Sequence, residues 1–315
     1  MIASTPAEAA ACVLAAAATG ISCARSQTCA HAHLDLRPMH AIRFYQPGDL
    51  TVGADAGCTV AALNAILAGH RQFVPIDILH PETTTLGAVL ACHLSGPLRH
   101  RFGSVRDFTI GLEMVSAAGS LVHCGGRVVK NVAGYDWMKP VIGSRGALGI
   151  ITGVNFKVFP LPHDLETARL GPLTWPQVEF ARTALLHSPL RLLGFDLLVT
   201  GNQRTLALTY TGSPAVQARY RAEVERLDLP LTFDPGAAPA PTPQPNFSVP
   251  SARAVAALEA LGEGTKIAGR LGLGVFWVDP LPAPLPFPPG VEAFQRRLKA
   301  ALDPSGIFHG ETCAS

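Results

Sequence analysis

Three glycines at every third position, Gly143, Gly146 and Gly149, stand directly before the alternating run Ile150, Thr152, Val154, Phe156 and Val158. Alternation of that length reads as a half-buried strand, stopped by Pro160 and Pro162. Closely spaced glycines ahead of a strand let the backbone approach a ligand and donate bare N–H groups to it. Spacing alone also allows a tight turn with no ligand. A Gly-Gly turn at Gly125 and Gly126, and then Lys130 and Asn131, precede the loop. Lys130 is open between a cation for a bound anion and an ordinary structural ion pair.

The run KNVAGYD (residues 130–136) followed by GSRGALGIIT (143–152) closely resembles the FAD-linked oxidase family, whose flavin domain is of the PCMH type. Within it the match is to the smaller flavin subunit of bacterial glycolate oxidase. The resemblance covers roughly residues 7–162 with interruptions, and returns at 303–308, Asp-Pro-Ser-Gly-Ile-Phe. It implies an α+β chain: a PCMH-type two-subdomain FAD-binding fold followed by a cap domain. It also implies non-covalent FAD, cytoplasmic location, and assembly with a larger flavin subunit and an iron–sulfur subunit. The implied reaction is oxidation of glycolate, or another small 2-hydroxy acid, to the keto acid. Any contact with the inner membrane face would run through the partners.

The resemblance assigns cofactor-facing residues segment by segment. The first segment is where the sequence departs. The family has a run of glycines for the pyrophosphate, and this chain has Ala24-Arg25-Ser26-Gln27-Thr28-Cys29. Arg25 and Ser26 are open between replacing those glycines as phosphate partners and standing in solvent on a decayed loop. The second segment is Thr84-Thr85-Leu86-Gly87, small hydroxyl residues and a glycine suited to donating N–H and O–H groups. The third is Ser95-Gly96. The fourth is Val105-Arg106-Asp107, with backbone contacts from Val105 and an Arg106–Asp107 salt bridge as support. The fifth is Gly146, Gly149, Ile150 and Ile151. His309 stands where relatives carry Asn, open between a base and a frayed tail. Oxidising a 2-hydroxy acid needs a cationic clamp and a base, and no such set is legible. A subunit that kept the fold and lost FAD therefore competes with a flavoprotein subunit. A stand-alone FAD oxidase is a third reading.

Elements must position these segments. An Ala-rich helix over 7–19 ends at Gly20 and leads to a strand at 21–23. It lacks a basic n-region and a convincing cleavage site, so it reads as neither a leader nor a span. A strand at 50–52 precedes a helix over 59–69, N-capped by Thr59, with Val60, Leu63, Ile66 and Leu67 inward and Asn64 facing solvent. A strand over 108–115 turns at 117–120 and returns through 121–123. Asp136 caps a short helix to Ile142, with Tyr135 and Trp137 packing between subdomains.

From Leu165 the pattern changes to strand 167–170, helix 174–187, strands 191–200 and 204–210, and helix 214–227, where Ser213-Pro214 makes the start. Helix 251–261 and strands 265–270 and 274–278 follow. This is a ferredoxin-like α+β plan, interrupted by a Pro/Ala-rich exposed linker over 234–250. The domains expected are 1–162 for flavin, 163–280 for the cap, and 281–315 for a Pro-rich segment and C-terminal helix. That helix shows Val291, Phe294 and Leu298 on one face.

Composition fits this division. The chain has 315 residues, room for two domains of about 150 each. It is 48% hydrophobic and 15% charged, with net charge +2, which excludes a disordered chain and argues against nucleic acid. Seven cysteines at irregular spacing, with no C-x-x-C, argue against a disulfide framework or a metal site. A mean hydropathy of +0.26 points to exposed apolar surface and a hetero-oligomer.

Overall fold

The computed structural model describes residues 1–19, 23–24, 32–126, 137–282 and 290–308. Helix α1 (Pro6–Thr19) opens the chain, followed by the two-residue parallel pair β1 (Cys23–Ala24) and β2 (Ala32–His33). The first half continues through β3 (Ile42–Gln46), β4 (Thr51–Asp55), α2 (Val60–Ala68), β5 (Gln72–Phe73), α3 (Leu86–Cys92), α4 (Arg99–Phe102), α5 (Val105–Phe108), β6 (Thr109–Val115), β7 (Leu121–Gly125), α6 (Met138–Val141), β8 (Ile150–Lys157) and β9 (Phe159–Pro160).

The alternating run after the glycines is β8, the middle strand of a five-stranded antiparallel sheet ordered β3-β4-β8-β6-β7. Val154, Phe156 and Val158 are buried while Asn155 and Lys157 are half-buried, as a period of two requires. At the start of the strand the alternation fails. A register shift opposite Glu113 and Met114 lets both Ile150 and Ile151 pack inward. Ile151 joins the core that α2 and α3 lay on the sheet, and Ile150 packs with Ala9, Val13 and Ala16 of α1 and with Ile307 and Phe308.

Thr59 does cap α2, its hydroxyl accepting from Ala62 N at 3.2 Å. Two residues of that helix depart from expectation. Ile66 is 48% exposed. Asn64 does not face solvent: its Oδ1 accepts from Val74 N at 2.9 Å and its Nδ2 donates to Val74 O at 3.2 Å. One amide thereby satisfies both backbone groups of a residue that lies just past β5.

The second half contains β10 (Leu165–Leu170), α7 (Trp175–Leu186), β11 (Gly194–Thr200), β12 (Gln203–Thr211), α8 (Pro214–Glu225), β13 (Leu231–Pro235), β14 (Phe247–Ser248), α9 (Ala254–Glu259), β15 (Lys266–Arg270), β16 (Val275–Asp279) and α10 (Val291–Leu302). Its sheet is antiparallel and seven-stranded, ordered β13-β10-β12-β11-β15-β16-β14. The ferredoxin-like unit is the run β10-α7-β11-β12-α8-β13, whose sheet order places the fourth strand beside the first. The fourth strand is therefore β13, and β15 and β16 extend the opposite edge. Residues 234–250 are not a free linker. β13 runs into them and β14 lies inside them. Asn246 bonds both backbone groups of Val278, and Thr242 is buried under Arg270.

Helix α10 forms as read, yet none of its residues is buried, and Phe294 is 63% exposed. Among the described residues no helix is long and apolar enough to cross a membrane.

Candidate functional site

Three of the five expected segments come together at the C-terminal end of α3, and the second, Thr84–Gly87, forms its N-terminal start. The glycine loop docks there through two backbone bonds, Gly143 N to Leu90 O at 2.9 Å and Arg145 N to Ala91 O at 2.8 Å. Arg106 crosses to the same loop and donates through Nη2 to Ile142 O at 2.7 Å. Ser95 lies on the chain leaving α3, where its hydroxyl accepts from Arg99 Nη1 at 3.3 Å. Arg25 and Ser26, and with them Lys130, Tyr135, Asp136 and His309, lie outside the described residues.

The second segment is held by the protein and not free for a ligand. Thr84 N donates to His80 O, Leu86 N to Cys58 O at 2.8 Å, and Gly87 N to Ala56 O at 2.7 Å. The Thr85 hydroxyl caps Ala88 N. Gly87 is a glycine because a methyl there would stand 3.1 Å from both Cβ and O of Ala56. Gly96 has the same reason: a side chain would collide with the carbonyl and carboxylate of Asp77. These backbone donors are already used, so Thr84, Thr85, Leu86 and Gly87 shape the site more than they furnish it.

The Arg106–Asp107 salt bridge does not form. The Asp107 carboxylate accepts from Ser104 N at 2.6 Å and from Ser104 Oγ at 2.8 Å, closing the first turn of α5. Val105 is buried, and its carbonyl takes the Thr109 hydroxyl at 2.6 Å. Trp137, expected between subdomains, is 46% exposed. It precedes α6 without a side-chain cap.

Two glycines of the loop differ in kind. Gly149 has φ +156, and a side chain on it would strike the Met114 thioether methyl and lie 3.0 Å from Val115 O. It is required by the sheet. Gly146 has φ +83, and a methyl on it would meet nothing within 4 Å. Its backbone faces open space, as a surface that approaches a ligand must.

At the start of the loop, Gly143 adjoins His93 and Arg106, and three polar atoms there are buried without a partner: His93 Nε2, Arg106 Nε and Ser144 Oγ. His93 ends α3 in a left-handed conformation, φ +53, where a non-glycine residue is strained. Burial, with the charges of Arg106 and Arg99 beside it, lowers its pKa to about 4, so the imidazole is neutral at pH 7. His93, Arg99 and Ser144 escaped the sequence reading. A histidine and a serine in single copy carry no motif, and only the left-handed backbone marks His93 out.

Unpartnered donors, two guanidinium groups and an open glycine backbone fit a large, anionic, hydrogen-bonding cofactor such as FAD, in which Arg106, Ser144, His93 and Gly146 would face it. Among the described residues no cluster of His, Cys, Asp and Glu could hold a metal.

Comparison with known proteins accords with this chemistry. The family of the FAD binding domain matches residues 4–125. The glycolate oxidase subunit GlcE of Escherichia coli (strain K12) is 30% identical over 304 residues, covering 88% of this chain and 85% of that protein. The glycolate oxidase subunit GlcD of Bacillus subtilis (strain 168) is 37% identical over 119 residues, 38% of this chain and 25% of that protein. Among solved structures, alkyldihydroxyacetonephosphate synthase superposes with a TM-score of 0.68 over 98% of this chain and 75% of its own, at 15% identity, a likeness of fold. The chain therefore belongs to the family of the glycolate oxidase subunit GlcE, FAD-linked oxidoreductases built on the FAD binding domain.

Proposed function

We propose that this chain is the FAD-binding subunit of a glycolate, or other small 2-hydroxy acid, oxidase or dehydrogenase complex. It supports oxidation of the CH–OH donor to the keto acid together with a larger flavin subunit and an iron–sulfur subunit, in the cytoplasm or held at the membrane by its partners. The observation that carries the proposal is similarity to GlcE along both chains, joined to a glycine loop whose Gly146 backbone opens to space and whose Gly143 adjoins residues with unpartnered polar atoms.

When bound, FAD supplies the acceptor for a hydride from the donor carbon. The chain's own residues bind and orient. The loop over 143–149 is fixed to α3 by two backbone bonds, and the N–H groups of Gly143, Ser144, Arg145 and Ala147 are used within the protein, so the Gly146 backbone is positioned before a ligand arrives. Arg106 is held by Ile142 O and sets a positive charge at the loop. The neutral His93 adds a ring nitrogen without a second cation. The seven-stranded sheet closes over this side: Gln244 Oε1 accepts from Ser95 N at 3.4 Å, a seam that limits water. The large flavin subunit is the natural place for the base, which is not assembled among the described residues here.

Purification of this chain on its own, away from the larger flavin subunit, and a visible spectrum test this reading. The expected result is a flavin band near ~450 nm, a property of the cofactor itself, present on isolation or gained on adding FAD. A purified chain that shows no band under either condition is the subunit that kept the fold and lost its flavin.

A further inference from the structure

Arg99 and Arg106 are both half-buried. Arg99 has its Ser95 bond and Arg106 its Ile142 bond, and neither makes an ion pair among the described residues. A half-buried guanidinium with no counter-charge is unusual, because removing it from water is repaid only by a paired anion. Their charges act on one another and on His93. Burial draws the Arg99 pKa down, Asp107 pulls it up, and Arg270 and then Arg106, each weaker than Asp107, add to the lowering. Among the described residues the carboxylate that offsets them is Asp107, which Ser104 holds through two hydrogen bonds. Two guanidiniums, one carboxylate and a neutral imidazole leave an uncompensated positive charge.

The geometry concentrates it. From the Cβ position of Gly143, His93 Cβ lies 3.4 Å away and Arg106 Nη2 3.5 Å away, and Ser144 is the next residue. The residues that carry the atoms without partners, Arg106 Nε, Ser144 Oγ and His93 Nε2, therefore come from three separate segments and adjoin one exposed glycine. Behind them, Arg270 stands between Asp77 and Asp196 and adds no net positive charge of its own.

We propose that His93, Arg99, Arg106 and Ser144 form a recognition site for an anionic oxygen group beside the glycine loop. The group is a phosphate of the dinucleotide or the carboxylate of a small 2-hydroxy acid. The site deepens the flavoprotein reading, but its charge balance does not depend on it. If the phosphate is the ligand, these side chains do the work that the glycine-poor loop over 24–29 does by bare backbone in relatives. If the carboxylate is the ligand, they form its clamp.

The test uses the purified full chain, with FAD, riboflavin, inorganic phosphate and glycolate titrated separately by calorimetry. The variants are Arg99→Met, Arg106→Met and Ser144→Ala, with Arg101→Met, an exposed arginine on the same short helix, as the charge control. Each site variant is expected to weaken one anion at least about tenfold, the size of a lost charge-assisted bond, while Arg101→Met changes little. A phosphate site weakens FAD and phosphate and leaves riboflavin untouched. A carboxylate site leaves flavin content intact and weakens glycolate. Unchanged affinities for all four ligands, at retained melting temperature, overturn the proposal, as does a wild type that binds neither phosphate nor glycolate nor FAD. A wild type that takes up no flavin but binds phosphate or glycolate through these residues sinks the flavoprotein reading and keeps the site. If a methionine variant fails to fold, Arg99→Lys and Arg106→Lys, which keep charge but lose the fork, carry the same comparison.

Discussion

Lys299 reaches out of α10 to the carbonyl of Ala147, 2.7 Å away. The same ammonium donates to Phe308 O at 2.5 Å and pairs with Asp303. Asp303 is buried, and its carboxylate also accepts from Ile307 N at 2.9 Å and Phe308 N at 2.8 Å. α10 buries none of its residues, so this knot is what fastens the C-terminal helix to the glycine loop. Asp303→Ala leaves the Lys299 ammonium without its counter-charge and two backbone N–H groups without their acceptor. We expect a loss of about 2–4 kcal/mol and faster hydrogen exchange across 291–308 and at the loop over 143–149. Unaltered exchange in the loop would show that α10 is not coupled to it.

Gly146 and Gly149 separate two roles that a glycine motif confounds. Gly149→Val drives a branched side chain into Met114 and Val115, so melting temperature and flavin content fall together. Gly146→Ala adds a methyl to open space and costs only the strain of φ +83, about 1 kcal/mol. Its melting temperature should move by a few degrees while the flavin-to-protein ratio of the folded fraction drops. An unchanged ratio would make the loop a turn and nothing else.

The motif around Gly143 to Ile151 was legible because glycine spacing and strand alternation are local properties, and its convergence with Ser95 and Arg106 followed from the resemblance. Other features depend on contacts distant in sequence. β13 hides at the edge of a Pro/Ala-rich run because its strand character comes from pairing with β10. Asn64 looks like a surface residue on a helix because its partner, Val74, is ten residues on. His93 is one residue in a run with no pattern. The resemblance puts the glycines at 87 and 96 near the cofactor, whereas the neighbours that demand them are Ala56 and Asp77, which no spacing reveals.

Asn64→Leu keeps the helix and removes both bonds to Val74. The Val74 N–H and C=O are then buried without partners, a cost of about 1–3 kcal/mol. Chemical denaturation should show a lower midpoint with an unchanged slope, and Asn64→Asp should restore part of it through the Val74 N–H bond. A leucine variant as stable as wild type would return Asn64 to the solvent face.

The seam between the two sheets carries a second buried charge cluster, and it sets a pH dependence. Asp77 Oδ2 accepts from Leu98 N at 2.7 Å. Asp196 Oδ1 lies 3.8 Å from Arg270 Nε, and Arg270 is 1% exposed. Burial pushes the carboxyls of Asp77 and Asp196 each up to about 7, with Arg270 pulling the other way. Arg99 and His100 pack on the same side, His100 held neutral by burial. A carboxyl raised in the fold binds its proton more tightly than in the unfolded chain. Its contribution to stability is therefore largest at low pH and declines as pH rises from about 4 through 7. His93 and His100, lowered in the fold, bend the curve the opposite way below their ordinary range near ~6.5. The informative quantity is thus the difference between wild type and Asp196→Asn, since both share those histidines. The variant's stability relative to wild type should rise with pH by up to about 1.4 kcal/mol per unit between 4 and 7 and level off above. A flat difference curve would mean that Asp196 stays ionised throughout, paired with Arg270 as an ordinary salt bridge across the sheet.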